Sequence, residues 1–149
     1  MFIRYEGPYM VRYLDSSVFL FAYLKPKKRL SQKEAKAKEK AKEILRRIDK
    51  GENVLTSVVH LSEVINIVEA RTGLSKSLEL LESLLAMANL EIDEVKSEDY
   101  EESLVIAERY KVSPNDALAS IICKRKGIKE IYSFDKHFDN IPFVKRIID

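Results

Sequence analysis

Four acidic residues that are far apart in the sequence each lie where a strand is expected to end or a helix to begin: Asp15, Glu63, Asp116 and Asp135. Because the carboxyl ends of parallel strands and the starts of the following helices meet at one edge of a sheet, we expect these carboxylates to lie close together. Four clustered carboxylates repel one another unless a hard cation lies between them. The sequence therefore predicts a metal site with oxygen ligands, suited to Mg²⁺ or Mn²⁺.

Each of these acids also has a purely structural explanation. Asp15 could serve as the N-cap of the next helix, since Asp is a favoured capping residue. Asp116 stands three residues after Ser113, a spacing typical of a capping box, and Asp135 could close an Asx-turn. Glu63 flanks the apolar face of its helix, where an ionised carboxylate needs either a nearby cation or a surface salt bridge. Position alone leaves both explanations open for every one of the four.

Other site chemistries lack their usual residues. His60 and His137 have no second His or Cys at the spacing of zinc ligands, and Cys123 lies in an apolar helical stretch as a small hydrophobic residue. The chain has four glycines that do not cluster, so it lacks a phosphate-binding glycine loop. It also lacks the Gly-x-Ser-x-Gly motif that presents a nucleophilic serine. These absences favour the carboxylate site.

Strand and helix patterns alternate along the whole chain, which predicts the elements that must position these acids. The predicted strands cover residues 11–14, 53–56, 90–95, 131–134 and 144–148, of which the third is expected near a sheet edge. The predicted helices cover residues 16–24, 31–50, 57–71, 75–88, 97–110 and 113–126, with Ser31 and Ser97 as expected N-caps. Strands separated by helices imply right-handed crossovers. We therefore expect an α/β fold, a single three-layer domain with a mainly parallel sheet of four or five strands flanked by helices.

Size and composition are those of one globular domain. The chain has 149 residues and a hydrophobic fraction of 46%, which is enough for an ordinary core. It contains no apolar run of the roughly 18 residues that a membrane span needs. Its first residues lack the features of a secretory signal, and a single cysteine cannot form an internal disulfide. We expect a cytoplasmic protein with no membrane association.

The first nine residues do not follow the alternation. Residues 1–9 are expected to be a lead-in before Met10, the expected natural start, which makes residues 10–149 the domain. The alternative is a genuine extra segment whose aromatic residues pack on the surface.

Positive charge is concentrated in one segment. The overall net charge is +2, yet residues 25–50 hold 12 Lys and Arg against 4 Asp and Glu, so the rest of the chain is acidic. A basic arm beside an acidic body is typical of a protein that binds a polyanion and chelates a cation elsewhere. The alternative is a solvated helix face held by charge pairs.

Four short motifs carry a resemblance to a known family. They are YLDSS at residues 13–17, SE at 62–63, SPNDALA at 113–119 and YSFDKHF at 132–138. In this order and spacing they resemble the PIN-domain nucleases, and the VapC-type toxins of toxin–antitoxin pairs are the most similar branch. The resemblance runs from Met10 to the carboxyl terminus; the Ser-Glu pair is its least specific part.

The resemblance implies a carboxylate site for Mg²⁺ or Mn²⁺, RNA cleavage, dimerisation and a small antitoxin partner. It implies three sets of site residues. The metal-binding and catalytic acids are Asp15, Glu63, Asp116 and Asp135. The polar groups that orient ligands or waters are Ser17, where the family often has Asn, and Ser133, where it often has Thr. Asp139 is a further acid.

We therefore expect a divalent-metal-dependent endoribonuclease that hydrolyses RNA phosphodiester bonds as the toxin of a toxin–antitoxin pair. Backbone contacts to RNA are expected from Lys36, Lys40 and Arg47. The alternatives are an RNA-maturation nuclease without an antitoxin and a non-catalytic PIN-like module that binds RNA or protein. A phosphatase of the haloacid-dehalogenase type would usually need a second Asp where Ser17 stands.

Overall fold

The computed structural model describes residues 11–24 and 28–148. Within them, five strands and six α-helices alternate. The strands are β1 (Arg12–Leu14), β2 (Val54–Ser57), β3 (Leu90–Asp93), β4 (Glu130–Tyr132) and β5 (Lys145–Ile147). The helices are α1 (Ser16–Tyr23), α2 (Gln32–Asp49), α3 (Val58–Thr72), α4 (Leu74–Ala86), α5 (Ser97–Tyr110) and α6 (Pro114–Lys126). The predicted lead-in and the start at Met10 lie outside the described residues and stay predictions.

The strands form one sheet in the order β3-β2-β1-β4-β5, and all four neighbouring pairs are parallel. The predicted α/β class, parallel sheet and edge position of β3 are thereby confirmed. The chain builds β2 and β3 outward on one side of β1 and then returns to build β4 and β5 on the other side. Such a reversal opens a crevice at the carboxyl ends of β1 and β4.

Both faces of the sheet are covered by helices. Alternating strand residues point into two hydrophobic cores, as shown by Tyr13 in one core and Leu14 in the other. Helices α5 and α6 cover the first core, and helices α1, α2, α3 and α4 contribute to the second. A sheet buried on both faces requires apolar residues throughout its strands. This arrangement makes the three-layer domain and fixes the strand ends rigidly.

Several predicted element ends are wrong: the third strand, for example, ends at Asp93 and not at residue 95. For two of the expectations a hydrogen bond to a side chain gives the reason. Beyond Tyr132, where β4 ends, the Ser133 N–H still donates to the Ile147 carbonyl (3.3 Å), but the next two N–H groups bond to side chains: that of Phe134 donates to Ser17 Oγ (3.0 Å) and that of Asp135 to Ser133 Oγ (3.0 Å). Helix α5 has Lys96, not Ser97, at its N-cap, because the Asp99 carboxylate accepts a hydrogen bond from the Lys96 N–H (2.9 Å).

Besides their shared hydrophobic core, one lysine links the basic helix α2 to the end of α1. Ser31 is the N-cap of α2, as expected. The Nζ of Lys38 donates to the carbonyl oxygens of Phe21, Ala22 and Leu24 at distances of 2.9 to 3.3 Å. A cation at these terminal carbonyls also suits the negative end of the helix dipole of α1. Lys38 is therefore a structural residue of this basic helix.

Among residues 11–24 and 28–148, no helix has both the length and the apolarity needed to cross a bilayer.

Candidate active site

Asp15 directly follows β1 and is the N-cap of α1, with 3% of its surface exposed. Its Oδ2 accepts hydrogen bonds from the hydroxyls of Ser17 and Ser133, both at 2.7 Å. The Ser17 backbone N–H also lies 3.4 Å from this oxygen. Because donors surround Oδ2, Oδ1 is the oxygen that remains to bind a ligand. Asp15 is thus the N-cap that the structural explanation expected, and it is also a carboxylate held by two serine hydroxyls.

Asp116 and Asp135 approach each other at the start of α6. Ser113 caps α6 by accepting the Asp116 N–H (3.1 Å), and Asp135 begins a short 3-10 helix, accepting the His137 N–H at Oδ1 (2.9 Å). One ligand atom from each of Asp116, Asp135 and His137 lies within 4.8 Å of the other two. Asp135 is therefore an N-cap and Asp116 lies in the first turn of a capped helix, and their carboxylates also converge.

The Asp116 carboxyl is hard to ionise in this setting. Burial is the main cause that raises its pKa to about 7; the charges of Asp135 and Asp15 act in the same direction, and Ser113 opposes them. The cluster thus contains more negative charge than it can hold without a proton or a cation. Carboxylate oxygens are ligands of hard divalent cations, so this set of side chains fits Mg²⁺ or Mn²⁺.

Glu63 lies in α3 with 36% of its side chain exposed. Asn115 donates from Nδ2 to Oε1 (3.2 Å), and the Ser16 hydroxyl lies 3.5 Å from Oε2. Burial raises the Glu63 pKa; His60 lowers it and Asp15 raises it. Asn115 is in turn held by the Tyr100 hydroxyl, which donates to its Oδ1 (2.9 Å). Glu63 is therefore positioned by α6 and belongs electrostatically to the cluster.

His60 is a residue of this site that sequence reasoning missed. It is 1% exposed and lies on the buried face of α3 with Val64 and Val68. Its Nδ1 lies 2.7 Å from Tyr13 Oη and 2.8 Å from Ser57 Oγ, and its Nε2 is 4.0 Å from both Asp15 Oδ1 and Glu63 Oε1. The spacing of His60 with Val64 and Val68, four residues each, is the sequence signal that could have placed it in the interior.

The remaining candidate residues lie in other environments. Both carboxylate oxygens of Asp139 are bound by Arg146, at 3.1 and 3.3 Å. Lys36 is exposed and Lys40 is half-buried on α2. The guanidinium of Arg47 lies 5.4 Å from the ring centroid of Tyr132. The RNA contacts expected of these three basic residues stay predictions, as does a role for Asp139.

Sequence comparison decides the family. A model of the PIN domain matches residues 12–144. The chain belongs to the PIN domain family. This membership confirms the resemblance carried by the four motifs, and together with the acidic cluster it supports a nuclease. No curated protein matches the sequence.

Solved structures similar to this PIN domain include toxins and toxin–antitoxin complexes. VapC20 of Mycobacterium tuberculosis, a toxin that cleaves the sarcin-ricin loop, has 21% identity over 89% of this chain and 95% of its own, with a TM-score of 0.67. VapBC2 of Rickettsia felis bound to promoter DNA has 17% identity over 93% and 98%, with a TM-score of 0.63. A toxin–antitoxin complex from Klebsiella pneumoniae has 16% identity over 90% and 95%, with a TM-score of 0.60. At these identities the likeness establishes the shared fold.

Proposed function

We propose that this PIN domain is a divalent-metal-dependent endoribonuclease that hydrolyses RNA phosphodiester bonds and acts as the toxin of a toxin–antitoxin pair. The observation that carries the proposal is the approach of ligand atoms of Asp116, Asp135 and His137 to within 4.8 Å of one another. Asp15 lies near enough for its charge to raise the pKa of both Glu63 and Asp116, and the pKa of Asp116 is raised to about 7. Such an accumulation of buried negative charge is typical of a cation site.

The cation, Mg²⁺ or Mn²⁺, would be held by Asp15 Oδ1 and the carboxylates of Asp116 and Asp135, with help from Glu63. When bound, it supplies Lewis-acid activation of water and neutralises charge that develops on the phosphoryl oxygens. The hydroxyls of Ser17 and Ser133 donate to the second oxygen of the Asp15 carboxylate, Oδ2, at 2.7 Å each. These hydrogen bonds fix the orientation of the carboxylate and so keep Oδ1 directed at the cation.

Glu63 is suited to proton transfer. It lies at the exposed side of the cluster, and Asn115 fixes its Oε1 at 3.2 Å. Its Oε2 has only a weak contact with Ser16, at 3.5 Å. We expect Glu63 Oε2 to accept a proton from the attacking water, because a base must be both positioned and open to the substrate.

The substrate and partners are proposed by analogy with the similar structures. One is a toxin that cleaves the sarcin-ricin loop, and two are toxin–antitoxin assemblies. They support an RNA substrate and a small antitoxin for this chain. A homodimer and a cytoplasmic location belong to the same proposal. The exposed Lys36 on α2 would contact the RNA backbone without base specificity.

Incubation of the protein with end-labelled RNA in Mg²⁺, Mn²⁺ or EDTA tests the proposal. We expect internal cleavage that requires the metal and is lost in Asp15→Asn. Binding of RNA without cleavage under every condition would favour the non-catalytic module. Hydrolysis of a small phosphomonoester with intact RNA would favour the phosphatase. Cleavage that persists in EDTA would overturn the metal-dependent site.

A further inference from the structure

His137 lies at the exposed edge of the acidic cluster and has no part in the reaction proposed above. Its ring Nδ1 is 2.8 Å from Asp135 Oδ1, and 67% of its side chain is exposed, against 34% for Asp135. One ligand atom from each of His137, Asp135 and Asp116 lies within 4.8 Å of the other two. No other three His, Cys, Asp or Glu residues in the described ranges approach one another in this way. A cation held by the two aspartates would therefore lie within reach of the imidazole.

The chain keeps the imidazole at this position. Asp135 is the N-cap of the 3-10 helix Lys136–Asn140, and its Oδ1 also accepts the His137 backbone N–H (2.9 Å). The next residue, Phe138, is completely buried in the hydrophobic core that α5 and α6 cover. Because the cap on one side and the buried ring on the other fix the backbone, His137 stays beside the two carboxylates.

The distances fit ligands of one ion. Two neighbouring ligand atoms with bonds of about 2.1 Å at right angles are about 3.0 Å apart, and two opposite ones are about 4.2 Å apart. The 2.8 Å between His137 Nδ1 and Asp135 Oδ1 is close to the first value. The 4.8 Å limit for the whole group is slightly above the second, a difference that a small rotation of the exposed ring removes.

Charge distinguishes a metal ligand from a simple ion pair, because a hydrogen bond to Asp135 would give the same short distance. A histidine compensates a carboxylate only while it is protonated. Burial is the main cause that raises the pKa of Asp116, and the charge of Asp135 adds to it although His137 is in contact with Asp135. The contact thus leaves the cluster in need of a cation, for which a neutral imidazole is a common ligand.

The second histidine indicates that the cluster is built to receive a further group. Nε2 of His60 is buried and forms no hydrogen bond with any described residue. It lies 4.0 Å from both Asp15 Oδ1 and Glu63 Oε1, which is too long for a direct hydrogen bond. A buried nitrogen in this state is costly unless a water or a ligand satisfies it.

We propose that His137 is a nitrogen ligand of the cation held by Asp116 and Asp135, and that this nitrogen makes the site prefer Mn²⁺ to Mg²⁺. The inference rests on the proposed function and adds one ligand and the identity of the metal. Imidazole nitrogen suits transition metals, whereas Mg²⁺ takes oxygen ligands. A site built only from carboxylates would have a weaker preference of this kind.

Pulsed EPR of Mn²⁺ bound to the full chain, with histidine labelled by ¹⁴N or ¹⁵N, tests this assignment directly. Lys136→Gln is the matched control, because Lys136 is the exposed neighbour of His137 on the same 3-10 helix. We expect a histidine-nitrogen coupling that changes with the isotope, persists in Lys136→Gln and disappears in His137→Gln. The chain has only two histidines, so a coupling that survives in His137→Gln would belong to His60 and overturn the proposal.

Metal affinity gives the second readout. Because glutamine offers an oxygen in place of nitrogen, His137→Gln should lower Mn²⁺ affinity about tenfold and change Mg²⁺ affinity less than about threefold. Lys136→Gln should change both affinities by a common factor, since it alters only the surrounding charge. An equal loss for both ions in His137→Gln, or bound Mn²⁺ without histidine coupling, would overturn the proposal and leave the carboxylate site intact. Failure to bind Mn²⁺ at all would remove both the inference and the proposed function.

Discussion

The Ser133 hydroxyl donates a 2.7 Å hydrogen bond to Oδ2 of Asp15, a residue 118 positions earlier in the chain. This bond joins the carboxyl ends of β4 and β1, the two neighbouring strands at which the order of strand addition switches from one side of the sheet to the other. The same hydroxyl accepts the N–H of Asp135 at 3.0 Å, so one side chain orients two acids of the cluster. The site is thus held together by neutral groups behind the carboxylates.

Ser133→Ala should therefore impair function more than folding. The change removes one of the two hydroxyls that donate to Asp15 Oδ2, and it leaves the Asp135 N–H without its acceptor. Groups of this kind typically contribute about 10–100-fold to metal affinity or activity. Ser103→Ala is the matched control, because Ser103 is equally buried and its hydroxyl bonds to a backbone carbonyl, that of Asp99 (2.7 Å). Metal-dependent RNA cleavage, corrected for the folded fraction, is the measurement. Equal effects of the two variants would contradict a positioning role for Ser133.

Asp116 can be tested as a cap and as a ligand separately. Ser113→Ala removes the acceptor for the Asp116 N–H and should cost about 0.5–2 kcal/mol of stability while most activity remains. Asp116→Asn keeps a side-chain oxygen but removes the charge, so stability should hold while cleavage falls at least about a hundredfold. Urea unfolding and initial cleavage rates measure the two effects. Normal cleavage by a well-folded Asp116→Asn protein would exclude this residue from the site.

The metal-free protein should lose stability as the pH rises. The pKa of Asp116 is about 7 in the folded protein. In the unfolded chain it should have the ordinary Asp value of about 3.9. Between these values the folded state binds a proton that the unfolded state lacks, so the Asp116 contribution favours folding at low pH and is lost as the pH rises through 7. Unfolding in EDTA between pH 4.5 and 8 measures the slope, which should be flatter in Asp116→Asn. Identical slopes would mean that the raised pKa is absent.

The basic helix α2 should control how RNA binding depends on salt. Replacing Lys36, Lys40 and Arg47 by Gln should weaken binding and reduce the slope against log salt by about one unit for each RNA phosphate that is no longer neutralised. Arg47→Gln alone should mainly affect stability, because its guanidinium lies over the Tyr132 ring, 5.4 Å from the centroid, at the distance of a cation–π contact. Lys145→Gln, on the exposed side of β5, is the control. An unchanged slope in the triple variant would assign α2 to a solvated face or to a protein contact.

The location of the acids could be predicted from sequence because it depends on local signals. Alternating strands and helices imply a parallel sheet, and residues that directly follow its strands must meet at one edge, as Asp15 does. Ser113, followed by Pro114, likewise indicates the start of α6, which places Asp116 in the first turn. These positions follow from chain order and helix capping, without knowledge of distant contacts.

The features that could not be predicted depend on contacts between distant residues. Strand pairing at the end of β4 stops where hydroxyls, one of them from the distant Ser17, accept the N–H groups of Phe134 and Asp135. The ring of His60 is held by its near neighbour Ser57 and also by Tyr13, 47 positions away, and the sequence gives no sign of the second contact. Likewise, the helical pattern of α2 gives no sign that Arg47 covers Tyr132. Such relationships require the tertiary structure.

Equilibrium binding of Mn²⁺ to the metal-free protein, followed by the EPR signal of the free ion, tests the central claim most directly. We expect saturable binding to the wild-type protein and at least about tenfold weaker binding to Asp15→Asn, since this change removes a charged ligand whose neighbours stay in place. Circular dichroism should show that both proteins are equally folded. Equal affinities in the two proteins, or no binding in either, would contradict a cation site at the carboxylate cluster.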